Sequence, residues 1–388
     1  MNNFEFISPT KIYFGKDSHK NIGTIIHEYG FKKIALIYGK GSIKKIGLYN
    51  DVISSLKEMN LDYCEISGVQ ANPKLSFVKM AIEKLKNQNI DFLLAIGGGS
   101  VIDTAKSISH ALYYHGNPFD FNMGIAKSSS VIPVGVILTI SAAGSELSNS
   151  CVISNDEVIP FIKKGFNADS NRPLFAILNP ELTYTVNTFQ TGCGIVDTLM
   201  HTLERYMNAF DSCMLSEQFA LALIKSVLHY GKIAIEQPDN YEARAELMLA
   251  SSLSHNGLTG LGKKQLMRVH GLEHILSGFH DEVAHGAGLS ILWPAWCMKV
   301  VNHPKANVLL TQLAKEVFHK ETAIEGINAL KQYFEDISMP TRLSQLNLQK
   351  PLDIKEMALA YSCNKSKIIE DFIPLGYEEF IDIFHLAR

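Results

Sequence analysis

The chain has 388 residues, 46% of them hydrophobic and 19% charged, with a formal net charge of -3. Such a balance leaves no electrostatic footprint for nucleic acid or an anionic membrane. The longest strongly apolar run, residues 131–138, is far short of the roughly 20 residues a spanning helix needs. The length suggests two domains. The opening residues lack the basic stretch and apolar run of a secretory signal, and the six cysteines are scattered without a Cys-x-x-Cys pair, so a cytoplasmic protein with reduced thiols is expected.

In chain order, Lys33–Tyr38 is a short aliphatic run ending at Gly39-Lys40-Gly41, which reads as a strand. Residues 43–59 carry apolar side chains at helical spacing: Ile46, Val52, Ile53, Leu56 and Met59. Residues 62–66 form a second predicted strand and residues 75–87 an amphipathic helix. A third strand over residues 92–96 runs into Gly97-Gly98-Gly99-Ser100, followed by a predicted helix over 101–114. Residues 131–139 form a fourth strand. Continuous apolar strands alternating with helices indicate a parallel sheet covered on both faces. From about Gly192 the helical period dominates, in stretches such as 194–207, 214–234, 240–257 and 305–333. The expected organisation is an α/β domain over residues 1–190 and an all-α domain over residues 191–388.

The Gly97-Gly98-Gly99-Ser100 turn sits between a strand and a helix. Glycines there let the backbone approach a phosphate, and the helix start offers free N–H groups. A tight turn needing small residues would look the same, and the motif is not the G-x-G-x-x-G fingerprint. At Gly39-Lys40-Gly41-Ser42, where an NAD site usually places a carboxylate for the ribose 2′-hydroxyl, there is none. Lys40, Lys44 and Lys45 stand nearby. This composition would attract a 2′-phosphate, so NADP(H) is favoured and NAD(H) remains possible.

Asp197 and His201 stand four apart, on one helix face, among apolar Val196, Leu199, Met200 and Leu203. A carboxylate in such surroundings is costly unless paired or bound to a cation. His270 and His274 are again four apart, and His280 and His285 follow. One Asp with two or three His suits Fe²⁺ or Zn²⁺ with an open position.

With these motifs in place, the chain resembles the iron-containing (group III) alcohol dehydrogenase family, in its butanol dehydrogenase and NADPH-dependent aldehyde reductase branch. The likeness spans the chain, from residues 11–15 through residues 38–45, Asn72-Pro73, residues 97–103, Gly144-Ser145-Glu146 and residues 197–204 to residues 270–288. It implies a dehydroquinate synthase-like architecture, with residues 1–190 as the dinucleotide-binding domain and residues 191–388 as the metal-binding, catalytic domain, and a homodimer acting on small alcohols or aldehydes. The implied metal ligands are Asp197, His201, His270 and His285, with His280 a competitor for the fourth place. His274 would be the non-ligand histidine beside the nicotinamide. Gly97, Gly98, Gly99, Ser100 and Asp103 would line the pyrophosphate and nicotinamide ribose. Gly39 and Ser42 would face the adenosine end, and Asn72, Thr139, Ser141, Lys163 and Thr183 would make further cofactor contacts. Three departures stand out: Ala143 replaces a threonine, Asn179 replaces an aspartate before Pro180, and the segment from His270 to His285 is one residue longer than the family pattern.

The implied reaction is hydride transfer between NAD(P)H and a small aliphatic aldehyde, with the metal as Lewis acid and His274 passing a proton. An alternative is an NAD- and metal-dependent cyclase (a lyase) related to dehydroquinate synthase. Such an enzyme handles phosphorylated sugar acids and needs several Lys and Arg beside the metal. Only Arg205, Lys263, Lys264 and Arg268 are candidates here, among apolar neighbours. A catalytically silent nucleotide-binding protein is the third reading, disfavoured by the complete ligand set.

Overall fold

A computed structural model describes residues 1–128 and 130–388. The chain folds into two compact units. One comprises Ile7–Val186 and Pro238–Ser252; the other comprises Met1–Phe6, Asn187–Gln237 and Leu253–Arg388. The N-terminal six residues join the second unit, and part of one helix joins the first.

The first unit is α/β. Its strands are β1 (Lys11–Phe14), β2 (Lys33–Tyr38), β3 (Asp62–Ser67), β4 (Phe92–Gly97), β5 (Val134–Leu138), β6 (Ser150–Asn155), β7 (Ile162–Asn167) and β8 (Phe175–Leu178). Six of them form a parallel sheet in the order β1-β8-β5-β4-β2-β3. Period-two alternation sends Ile34, Leu36, Phe92, Leu94 and Ile137 into one apolar cluster, and Ala35, Ile37, Leu93, Ala95 and Val136 into another. Both faces are thus covered, which explains why these strands read as unbroken apolar runs. β6 and β7 form a separate antiparallel pair.

The chain steps outward from β2 to β3, then returns to β4 on the other side of β2. The strand order therefore reverses between β2 and β4, and an open α/β sheet binds ligands outside the carboxyl ends of its strands at such a switch point. Tyr38 pairs with Ile96 and Gly97 with Leu138, so Gly39 and Gly97-Gly98-Gly99 emerge on either side of that position.

The second unit is helical, as expected. Two predicted helical stretches are in fact broken. Residues 43–59 divide at Gly47 (φ 79°) into Ser42–Lys45 and Leu48–Glu58. Residues 305–333 are two helices, Pro304–Phe318 and Ala323–Asp336. The first stops at His319 in the left-handed region, and the second starts from a Thr322/Glu325 capping box, a reciprocal pairing that satisfies two free backbone donors. No helix among the described residues is long and apolar enough to cross a membrane.

Candidate active site

In the helical unit, three elements converge. The buried helix Thr188–Tyr206 carries Asp197 and His201 one turn apart. The helix Arg268–Phe279 carries His270 and, one turn on, His274. His285 opens the helix His285–Val300. Packing this close demands glycine. A Cβ on Gly286 would lie 2.3 Å from the Cys193 carbonyl oxygen, and one on Gly288 would lie 2.8 Å from Glu273 Cγ. The small residues of the Gly-Ala-Gly stretch thus let the His285 helix settle against both neighbours.

Asp197 Oδ1 is the focus. His201 Nδ1 lies 3.2 Å from it, His270 Nε2 3.5 Å and His285 Nε2 3.7 Å. Asp197 Oδ1 and His270 Nε2 are buried and make no hydrogen bond. Two unsatisfied polar atoms facing each other in a buried site are costly, and a divalent cation is a group that satisfies both. Asp197, His201 and His270 each offer a donor atom within 4.8 Å of the others, as metal ligation requires.

Each ring is held from behind. His201 Nδ1–H donates to the Asp197 main-chain carbonyl at 2.9 Å, leaving Nε2 as the lone-pair nitrogen. His270 Nδ1–H donates to Glu204, whose carboxylate also accepts the backbone N–H of Val269 (2.7 Å) and His270 (3.1 Å) at the start of that helix. His285 Nδ1–H donates to Glu273. Carboxylates of this kind fix ring orientation and raise ligand basicity. Sequence reasoning missed both roles, although Glu204 stands three residues after His201 and Glu273 three after His270.

Electrostatics agree with a cation site. Burial pushes the Asp197 carboxyl up, but His201, His270 and His285 outweigh it and hold the group well below the usual carboxylate range. Burial pushes the His201 imidazole down to about 4, so it is neutral at pH 7, the form a metal needs. Burial acts against a charged His270, yet Glu204 and Asp197 prevail and push it up to about 9. The negative field that draws a proton to His270 Nε2 would equally draw a metal ion.

His274 lies beside this set, its ring centroid 6.5 Å from His270 and 5.7 Å from His285. Glu273, His274 and His285 form a second group whose donor atoms lie within 4.8 Å of one another, and His280 is outside both groups, with Nδ1 3.6 Å from Glu282. The nearby basic residues are engaged elsewhere. Arg205 donates to the His201 and Ser254 carbonyls, Lys264 pairs with Glu370, Arg268 donates to the Glu370 carbonyl, and Lys263 stands 3.7 Å from Glu217.

The nucleotide-site candidates fall in the α/β unit. Gly98 precedes the helix Gly99–Ala111, its carbonyl accepting from Val101 at 2.9 Å. A Cβ on Gly98 would strike Ile140 at 2.2 Å, so the turn needs glycine on packing grounds alone. The Thr139 N–H donates to the Gly97 carbonyl at 3.1 Å, which sets Thr139 and Ser141 beside that turn. Gly39 and Ser42 flank the end of β2, Asn72 has a positive φ of 50°, and Lys163 lies on β7. Asp103 and Thr183 are tied to neighbours within the chain. Asp103 accepts from Ser145 Oγ at 2.6 Å and from the Val152 N–H at 3.0 Å, and the Thr183 hydroxyl donates to the Pro180 carbonyl at 2.7 Å. Ser145 also receives the buried Lys106 ammonium, which donates to three main-chain carbonyls besides. Asp103 therefore ties the helix after the glycine turn to this loop and to β6. The methyl of Ala143 faces Gly99, with Gly99's would-be Cβ 3.4 Å away.

A parallel sheet with a glycine turn at its switch point, and a helical unit bearing a His-rich carboxylate centre, fit a metal- and nucleotide-dependent enzyme class. Residues 9–180 match the model for iron-containing alcohol dehydrogenase, and residues 191–387 match the C-terminal model of that family. The chain is 37% identical to NADH-dependent butanol dehydrogenase A of Clostridium acetobutylicum over 99% of both chains. It is 33% identical to the NADPH-dependent aldehyde reductase YqhD of Escherichia coli over 90% of both. The crystal structure of NADH-dependent butanol dehydrogenase A from Thermotoga maritima superposes with a TM-score of 0.94 at 33% identity, covering 100% of this chain and 99% of that one.

The chain belongs to the iron-containing alcohol dehydrogenase family, with butanol dehydrogenases and an aldehyde reductase among its relatives. It is an NAD(P)-dependent alcohol dehydrogenase/aldehyde reductase that uses a divalent metal and a nicotinamide cofactor. Nothing in these comparisons favours the cyclase.

Proposed function

We propose that the protein reduces short straight-chain aldehydes such as butanal to the alcohols, and runs the reverse oxidation, with NADP(H) preferred. The observation that carries the reading is the convergence of Asp197 Oδ1, His270 Nε2 and His285 Nε2 in a buried site where two of the three make no hydrogen bond. Asp197, His201, His270 and His285 would hold the metal. One carboxylate and three imidazoles suit Fe²⁺ and Zn²⁺ alike. When bound, the metal supplies Lewis acidity toward the carbonyl or alcohol oxygen.

The side chains of this chain do the rest. Glu204 and Glu273 keep the His270 and His285 rings aimed. His274, half-buried beside them, would hold the proton that the product oxygen takes up. Gly97, Gly98, Gly99 and Ser100 would receive the pyrophosphate, and Thr139, Ser141 and Lys163 the nicotinamide half. At the adenosine end, no carboxylate follows β2, and the exposed Lys40, Lys44 and Lys45 flank Gly39, Gly41 and Ser42; that supports a 2′-phosphate. Two named relatives divide on the point, one NADH- and one NADPH-dependent.

A homodimer is part of this reading. β1 is a sheet edge with Ile12 and Phe14 36% and 44% exposed, and such an edge is a template for pairing with another copy.

The test is the initial rate of butanal reduction with NADPH and NADH, in metal-stripped protein resupplied with Fe²⁺ or Zn²⁺. A metal-dependent rate that is faster with NADPH supports the proposal. A rate confined to NADH overturns the cofactor preference. No rate with any short aldehyde in metal-loaded protein overturns the substrate class.

A further inference from the structure

The three imidazoles around Asp197 are not held alike. His270 and His285 each donate Nδ1–H to a separate carboxylate, Glu204 and Glu273. His201 donates to a main-chain carbonyl of its own helix. A single hydrogen bond of that kind fixes the tautomer but lets the ring rock about its Cβ–Cγ bond. Something else must set its plane if Nε2 is to stay aimed.

That element is His255, the last residue of the helix Tyr241–His255. Its ring centroid lies 3.9 Å from that of His201, with 40° between the planes. No other ring pair in the histidine cluster is so close. The placement is enforced by a second contact. Arg205, one turn beyond His201, donates Nη1 to the His201 carbonyl at 2.6 Å and to the Ser254 carbonyl at 3.1 Å. The guanidinium thus clamps the residue before His255 to the ligand helix. Arg205 is buried, and burial lowers its pKa only to about 10, so it stays charged. After His255 the chain turns sharply through Gly257 (φ 103°), which ends the helix where the ring contact is needed.

We propose that His255 is a positioning residue of the metal site: its ring, packed at a tilt against His201 and indexed by Arg205, does for His201 what Glu204 and Glu273 do for the other two imidazoles. Orienting partners of metal ligands typically contribute about 10–100-fold to metal affinity. A ring contact this close acts through packing, which depends on the shape of the ring, so phenylalanine should substitute and alanine should not. The inference rests on the metal reading above.

The experiment is a Co²⁺ titration against a fluorescent chelator, with the visible d–d spectrum of the loaded protein, on wild type, His255→Ala and His255→Phe. The expected result is a Co²⁺ affinity at least about tenfold weaker in His255→Ala, with altered d–d bands, and recovery of both in His255→Phe. Melting of the metal-free proteins should be alike, since the ring contact matters for aim rather than for the fold. Wild-type affinity and spectrum in His255→Ala would sink the proposal. Equal loss in His255→Phe would also sink it, because the ring nitrogens and not the packing would then be responsible. If wild-type protein takes up no Co²⁺, the metal reading fails and takes the inference with it.

Discussion

At the scale of single residues, two groups make separable predictions. His274 lies close to the proposed ligands without joining them, so His274→Ala should lower kcat by roughly 100-fold, within the span for a proton-transferring side chain, while the bound metal stays stoichiometric. Loss of metal in that variant would reassign His274 to the ligand set. Asp371 concerns stability. It is buried, accepts from Trp296 Nε1 at 2.8 Å, and burial pushes its carboxyl up from 3.8 to about 6. A folded-state pKa above the unfolded one means that the folded protein binds the proton more tightly. The associated stability is complete below about pH 4 and is lost as pH rises through about 6. The shift is worth about 3 kcal/mol at most. Asp371→Asn keeps an acceptor for Trp296 and removes the titration. Its denaturant midpoint, relative to wild type, should therefore rise between pH 4 and 7; a difference that stays flat with pH would show that Asp371 does not carry this dependence.

At the scale of elements, legibility followed burial pattern. β2 and β4 are plain because both faces are covered and, after Lys33, the run carries no polar break. β1 and β8 were not set out as strands from pattern, being only four residues each, too short for a period to register. The β6–β7 hairpin escaped because its polar Ser150, Asn155, Lys163 and Lys164 hide the alternation. In the site, the spacing of Asp197 and His201 was readable, since four residues make one helical turn. The carboxylates behind the rings were not, because each reaches a histidine on a different helix: Glu204 serves His270 and Glu273 serves His285. Yet the pattern His201-x-x-Glu204, repeated as His270-x-x-Glu273, is visible once the packing is known. The helix packing itself gives a prediction. Gly286→Ala puts a methyl inside the contact distance of Cys193 backbone atoms, 2.3 Å from its oxygen and 2.5 Å from its Cα. Backbone cannot step aside like a flexible side chain, so the His285 helix must shift. Overpacking of this kind costs about 1–3 kcal/mol. The variant should melt earlier and hold metal more weakly, measured by calorimetry and by metal content after dialysis. An unchanged metal content would mean that the helix shift leaves His285 in place.

For the whole molecule, the division into two units gives each proposed ligand its own territory. The proposed metal ligands sit on three helices of the helical unit, and the proposed nucleotide residues sit in the α/β unit. A ligand that binds only folded protein stabilises by mass action, about 4 kcal/mol at a thousandfold excess over Kd, or roughly 10 °C for a unit of this size. The chain supplies a built-in reporter for one of the two. Its only tryptophans, Trp293 and Trp296, both lie fully buried in the helix His285–Val300, within a few turns of His285. Tryptophan fluorescence therefore follows the unit that carries the metal ligands, whereas calorimetry follows both. Metal added to stripped protein should raise the fluorescence-detected transition by roughly 10 °C. NADPH added to the same stripped protein should raise a calorimetric transition and leave the fluorescence transition nearly where it was. If NADPH moves the tryptophan signal as far as metal does, the units unfold as one cooperative body, and the stabilisation from either ligand spreads over the whole chain. If metal fails to move it, the Asp197 cluster is not where the metal binds.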